Sequence, residues 1–305
     1  MNLTPGSTQS AFAADDRQGR DGHRRCRAGQ RALALVIVAG LFLAGCDTLS
    51  QDFDLIAQSF FPPTPGEAAR MMADPHDPDQ RREGVTWISN APFGGAEPYL
   101  RSYRDMVEHE RDPTVLAAAI RALARHGMPE DAPLIARHLI HENRHVQWEA
   151  AKGLQRLHNS EVVAPLLAAL RERENWVEVR IAAADALAQY PQDRVFQALV
   201  ATLDARELAL NQTAAESLRT LTGQAFDTDA RAWISWYRSA QVDERFADRR
   251  EYLYPTYRRD ETFFERLAFW SSHHWETPQQ PAGLGPESTR RTYQDDDDAS
   301  DDAGG

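Results

Sequence analysis

From Asp112 onward the apolar positions of this chain recur in two interleaved columns. The first column is Val115, Ala119, Ile120, Leu123; then Val146, Ala150, Ala151, Leu154; then Val179, Ala183, Ala184, Leu187; then Leu210, Ala214, Ala215, Leu218. The sets are separated by 31, 33 and 31 residues. Within each set the spacing puts the apolar side chains on one face of a 3.6-residue helix, and the alanines admit a close neighbour. The second column is Ala132, Ile135, Ala136, Leu139; then Val163, Leu166, Leu167, Leu170; then Phe196, Leu199, Val200, Leu203. Short breaker clusters at Gly127-Met128-Pro129, His158-Asn159-Ser160 and Tyr190-Pro191-Gln192 separate the columns, so each unit reads as an antiparallel helix pair. Asp112-Pro113 and Asn143 stand where first helices need caps. Ordinary bundling explains periodicity inside a helix, but two columns in register over successive units predict an all-α solenoid.

The end units depart from the pattern, as end units do when one face meets solvent. Asp77-Pro78 precedes Asp112-Pro113 by 35 residues and, with Val85, Ile88, Leu100 and Tyr103, predicts a degenerate first unit over about 77–108. At the other end Asp229 to Tyr237 predicts a helix carrying Trp233, Trp236 and Tyr237 on one face, which would cap the stack. The columns resemble HEAT repeats of the short bacterial type first described in phycobilisome lyases. The Leu221-Thr222-Gly223-Gln224 start, followed by Ala232-Trp233 and Trp236, is similar to the terminal unit of many bacterial HEAT-repeat proteins. The resemblance covers about residues 77–240. It implies a HEAT-like α-solenoid that offers surfaces on which other proteins dock; it does not imply lyase activity.

The segment before the repeats predicts a compartment. Arg24, Arg25, Arg27 and Arg31 precede a 13-residue apolar run, Ala32 to Ala44, which closes on Leu43-Ala44-Gly45-Cys46. A basic n-region, an h-region and a small-residue cleavage site make a signal peptide over 1–45, too short to span a bilayer. The last four residues resemble the lipobox of bacterial lipoproteins, which implies diacylglycerol on the Cys46 sulfur, cleavage before Cys46, and palmitate or a similar acyl chain on the new N-terminus. Multiple acyl chains at about 0.8 kcal/mol per buried methylene suffice for a stable anchor. About thirty residues precede the apolar run, which leaves room for a start codon downstream of Met1. Asp47 resembles an inner-membrane retention signal whose meaning varies among lineages, so the expectation is a cell-membrane anchor on the extracytoplasmic face, inner or outer membrane open. Cys26 falls in the removed part, leaving no thiol pair. Residues 46–76, with Pro62, Pro63 and Pro65, read as a tether.

Composition narrows the chemistry. With 42% hydrophobic and 26% charged residues and net charge −12, the chain is globular and a poor match for nucleic acid. Six Arg and three Asp precede Cys46, so the remainder holds 28 basic against 43 acidic residues, net −15. Lys152 is the sole lysine. His141-Glu142-Asn143-Arg144-His145 matches H-E-x-x-H, in which two histidines one turn apart hold zinc and the glutamate acts as general base. That chemistry requires one unbroken helix. The register instead places Asn143 at an N-cap, so that His141 and His145 flank a turn, and no third ligand stands at a recognisable spacing. His138 leaves weak metal binding open. His273-His274 beside Trp275 has no repeat support, and no phosphate loop or nucleophile elbow is present. No catalytic residue, metal or cofactor is therefore expected.

After the repeats, residues 241–276 form an aromatic arm. Tyr252, Tyr254 and Tyr257 lead to Phe263, Phe264, Leu267 and Trp270 on one helix face from Asp260. The expectation is a capping helix that folds back over the solenoid, the rival being a helix that docks on a partner or at the membrane interface. Residues 277–305, with Asp295 to Asp298 and Asp301-Asp302, are expected to be a disordered acidic tail. The leading reading is a non-enzymatic, lipid-anchored HEAT-repeat scaffold that binds an unidentified envelope protein. The alternatives are a metal-dependent hydrolase using His141, Glu142 and His145, and a purely structural envelope protein.

Overall fold

Asp77 and Asp112, each followed by proline, cap their helices as the Asp-Pro spacing requires. Asp112 Oδ1 accepts from the Thr114 and Val115 amides at 2.9 and 3.2 Å, and Asp77 Oδ1 from Asp79 and Gln80 at 2.9 and 3.2 Å. Asn143 caps the helix after it through bonds to His145 N and Val146 N. The computed structural model describes residues 63–256 and 277–285. Among the described residues the α-helices are α1 (Pro65–Met72), α2 (Pro78–Asn90), α3 (Glu97–His109), α4 (Pro113–His126), α5 (Ala132–Ala136), α6 (Arg144–Gly153), α7 (Val163–Arg171), α8 (Val177–Leu187), α9 (Asp193–Thr202), α10 (Leu208–Thr222) and α11 (Ala230–Ser239). None is long and apolar enough to cross a membrane.

The helices form two layers. α2, α4, α6, α8 and α10 stack side by side in one; α3, α5, α7, α9 and α11 form the other. This is an all-α solenoid, as the columns predict, and every residue of both columns is buried. Small side chains set the spacing of the first layer: a Cβ on Gly153 of α6 would lie 3.0 Å from the Ala124 methyl of α4. Each fully buried leucine, such as Leu123, Leu154, Leu187 and Leu218, contributes about 2 kcal/mol.

Polar ties join consecutive units at near the repeat spacing. Arg104 grips Asp131 at 2.7 and 3.1 Å, and Arg121 grips Glu149 at 3.2 and 2.5 Å. His126 Nε2 bonds the Ser89 carbonyl at 2.7 Å, and His138 Nε2 bonds the Val107 carbonyl at 2.9 Å. Ser217 Oγ donates to Ala184 O at 2.9 Å. Such bonds satisfy carbonyls near helix ends that would otherwise be orphaned.

The aromatic cap forms as expected. Tyr237 stacks on Phe196 at 4.4 Å, Trp233 meets Phe226 edge-on at 5.0 Å, and its Nε1 donates to Asp227 O at 2.9 Å. Gly223 ends α10 in the left-handed conformation at φ 74°, and a Cβ there would lie 2.3 Å from Asp248 O. The chain leaving α11 thus crosses directly over this glycine.

Three expectations need correction. The segment 46–76 is not a tether throughout, because α1 occupies residues 65–72. Thr64 and Glu67 form a capping box, and Gly84 lets α1 lie against α2: a Cβ at residue 84 would sit 2.7 Å from Ala68 O. The second-column helix over Ala132–Leu139 is α only to Ala136; Arg137–Ile140 is a 3-10 turn, which still keeps Ile135 and Leu139 inward. The tail expected to be disordered from Thr277 packs at its start, with Pro281 and Ala282 buried. Cys46, the signal sequence, the helix face from Asp260 to Trp270, His273-His274 and the run from Asp295 lie outside the described residues.

Candidate functional site

The outward face of the first layer is where the repeat makes a surface. Because successive units are offset by 35, 31, 33 and 31 residues, Thr86, Arg121, Lys152, Asp185 and Glu216 occupy one equivalent position, and Asn90, Arg125, Arg156, Gln189 and Thr220 the position one turn later. The column changes sign along the stack. The second and third units are cationic at Arg121, Lys152, Arg125 and Arg156, and the fifth carries Glu216, whereas Asp185 of the fourth is covered by Tyr252. Trp148 and Ile181 stand at a third equivalent position, both partly buried. Lys152 Nζ lies 4.4 Å from the Trp148 ring centre, and the Arg156 guanidinium lies 4.6 Å from the Tyr254 ring centre. Arg125 Nη1 donates to Asn90 Oδ1 at 2.5 Å. A small cleft of about 80 Å³ opens between Thr86, Asn90, Arg121, Arg125 and Arg156.

A C-terminal clasp borders this face. Tyr252 and Tyr254 are buried against Ala188, and Tyr254 N donates to Gln279 O at 3.0 Å. Further along, Ala282 N donates to Arg156 O at 2.9 Å and His158 N to Ala282 O at 2.8 Å, so residue 282 pairs with 157 in the manner of a short parallel bridge. Tyr252 Oη donates to Asp185 Oδ1 at 2.5 Å. Burial pushes the Asp185 carboxyl up to about 6, against the hydrogen bond from Tyr252, and pushes the Tyr252 phenol well above its usual value.

The H-E-x-x-H residues do not share a helix. His141 is extended, at φ −65° and ψ 147°, and α6 begins only at Arg144, so His141 and Glu142 precede the Asn143 cap and His145 follows it. His141 Nδ1 accepts the Asn143 amide at 3.0 Å, and burial lowers the pKa of His138, whose Nε2 is committed to Val107. His145 instead tilts against Trp148 at 5.8 Å. Among the described residues no group of three or more His, Cys, Asp or Glu could hold a metal ion. The arrangement fits structural histidines on a repeat edge.

Two features of the site went unread in the sequence. The charge column was legible in principle, since 121 to 152 and 125 to 156 are both one repeat, but charges are conspicuous only once the apolar register has been laid out. The clasp carried no local signal, because its contacts with the repeats join residues far apart in the chain, 67 positions in the Tyr252–Asp185 bond. A larger cleft of about 450 Å³ is lined by Arg171, Arg173, Arg180 and Arg206 together with Asp204 and Glu207.

The family profile of HEAT repeats matches residues 100–177 and 132–219. No curated protein matches the chain. Similar solved structures include an engineered protein, at 16% identity and TM-score 0.39 over 60% of this chain and 93% of that one. Human deoxyhypusine hydroxylase in complex with glycerol is similar at 15% identity and TM-score 0.28, over 51% of this chain and 84% of that one. YibA of E. coli is similar at 15% identity and TM-score 0.35, over 76% of this chain and all of that one. The stacked helix pairs within residues 100–219 are HEAT repeats.

Proposed function

We propose that this chain is a lipid-anchored, extracytoplasmic docking scaffold that is held at the membrane by acyl chains on Cys46 and binds an envelope protein through the first-layer face of its HEAT repeats. One observation carries the reading: the lipobox-like Leu43-Ala44-Gly45-Cys46 directly closes the apolar run and is followed by repeats of a kind that generally mediate protein–protein contact. The face supports it as well, since cations, Trp148 and Glu216 stand in register on adjacent helices and favour a partner of complementary charge. The reading assigns this face a binding role and no reaction step.

Labelling cells with a fatty-acid analogue tests the anchor. The wild-type chain is expected to take up the label and pellet with membranes, and Cys46→Ala to do neither; equal labelling of both removes the anchor. A photo-crosslinking residue at position 148 tests the docking face. It is expected to capture the same protein in repeated envelope preparations, while one at exposed Glu174 does not. Equal capture, or none, removes the docking reading.

A further inference from the structure

The cleft of about 450 Å³ draws its charged lining from two consecutive connections, with Arg171 and Arg173 at and after the end of α7 and Asp204, Arg206 and Glu207 between α9 and α10. With Arg180 of α8, four arginines meet two carboxylates there, a local positive excess in a chain of net charge −12. Arg171, Arg173 and Arg206 are exposed and, among the described residues, have no ion-pair partner. Arg180 is only 9% exposed. Its Nε donates to the Leu170 carbonyl at 3.1 Å, while Nη1 stands 3.9 Å from Glu207 Oε2, too far for a hydrogen bond. Among the described residues neither Nη nitrogen donates a hydrogen bond, although buried donors are normally satisfied. The first unit shows the completed arrangement. Arg81, the repeat equivalent of Arg180, donates Nε and Nη2 to the two Glu110 oxygens at 3.0 and 3.1 Å and Nη1 to the Asp74 carbonyl at 3.1 Å. Where the first unit supplies a bidentate carboxylate, the fourth opens into the cleft. Glu207 is also the N-cap of α10 and makes no side-chain cap bond, so the positive end of that 15-residue helix borders the same space.

We propose that this cleft binds a phosphoryl group, held by the Nη donors of Arg180 and by Arg171, Arg173 and Arg206. A single carboxylate completes Arg81, but here it would leave three further arginines unmatched. A phosphoryl group brings about two negative charges and three acceptor oxygens, which suits planar guanidinium forks better than a carboxylate does. The cleft volume, about 450 Å³, falls in the range of small-molecule sites. Glu207 competes with the ligand for Arg180, so the site is tuned by the one carboxylate that comes near the buried guanidinium. The site is separate from the docking face, since Arg121, Trp148 and Lys152 do not line it.

Inorganic pyrophosphate is the probe, titrated calorimetrically at low ionic strength into the full chain carrying Cys46→Ala, so that no acyl chain contributes. Saturable binding to a single site is expected. Arg180 is left in place because its burial ties it to folding. Arg171→Gln with Arg206→Gln should weaken binding about tenfold or more through lost charge-assisted bonds. Both residues are exposed, so thermal unfolding of the ligand-free chain should not change. Arg144→Gln with Arg231→Gln removes the same charge from exposed positions outside the cleft and should leave the affinity within about twofold. Glu207→Gln withdraws the competing carboxylate and should tighten binding about threefold. Citrate, which offers only carboxylates, should bind about tenfold more weakly than pyrophosphate. Phosphatidylcholine vesicles with added phosphatidate separate the two sources of the group. Cosedimentation that is lost with Arg171 and Arg206 assigns it to a lipid headgroup, and pyrophosphate binding without cosedimentation assigns it to a free ligand; both uphold phosphoryl recognition. The proposal is overturned if pyrophosphate does not bind, if the two arginine pairs weaken it equally, if citrate binds as tightly, or if Glu207→Gln fails to tighten it. The crosslinking result at position 148 does not depend on these outcomes.

Discussion

The Tyr252 hydroxyl donates to the Asp185 carboxyl at 2.5 Å and so pins the returning C-terminal segment to the end of α8. Burial raises the Asp185 pKa to about 6. The folded state therefore binds a proton more tightly than the unfolded chain does. The stability this contributes is full below the ordinary aspartate range near 4 and is lost as pH rises through about 6. Lowering pH from 7.5 to 5 should tighten the clasp by roughly 1–2 kcal/mol after allowance for partial exposure. In Asp185→Asn that increment should be absent. Hydrogen exchange at the Tyr254 and Ala282 amides at the two pH values measures it, and a clasp that loosens on acidification contradicts the assignment.

Arg121 and Glu149 link α4 to α6, and the Glu149 side chain is only 4% exposed. Arg121→Ala leaves a buried carboxylate without its guanidinium and should cost about 2–4 kcal/mol. Replacing both residues, as Arg121→Leu with Glu149→Met, should recover most of that loss. Urea denaturation of the four proteins in the cycle gives the coupling, and additive losses would show that the pair does not act as a unit.

Tyr103 is fully buried in α3, and its hydroxyl finds no partner among the described residues. Burial pushes its pKa up. Tyr103→Phe removes an unsatisfied polar atom and should be neutral or stabilising by up to about 1 kcal/mol. Thermal unfolding decides, since a substantial loss would reveal a bonded hydroxyl.

Trp233 closes the last unit, packed edge-on among Phe196, Phe226 and Trp236. Trp233→Ala should cost about 3–5 kcal/mol. Because each unit touches chiefly its neighbours, exchange protection should fall first in α9, α10 and α11 while α4 and α6 hold. Uniform loss across all helices would contradict the stacked-unit description.

His145 and His141 lie on opposite sides of the Asn143 cap. Zinc titration of the wild type and of His145→Ala should give the same weak binding, whereas Asn143→Ala should lower stability by about 1 kcal/mol through loss of the cap. Stoichiometric zinc that disappears with His145→Ala would restore the hydrolase reading.

Periodicity alone determined the helix pairs, their register and their buried seams, because burying an apolar stripe at every repeat leaves one way to stack the units. It also placed Asn143 and Asp112 at caps, since cap residues act through bonds two or three positions away. Other features depended on residues distant in the chain. The small side chain at Gly84 decided that α1 packs instead of tethering. The Arg156–Ala282 and Asp185–Tyr252 bonds decided that the segment beyond the repeats returns over the stack. The sign change along the outward face, from Lys152 to Glu216, emerged only when units 33 and 31 residues apart were laid side by side. Local sequence encodes what a residue does within its own turn of helix, whereas contacts between layers and across returning segments depend on the position of every other element.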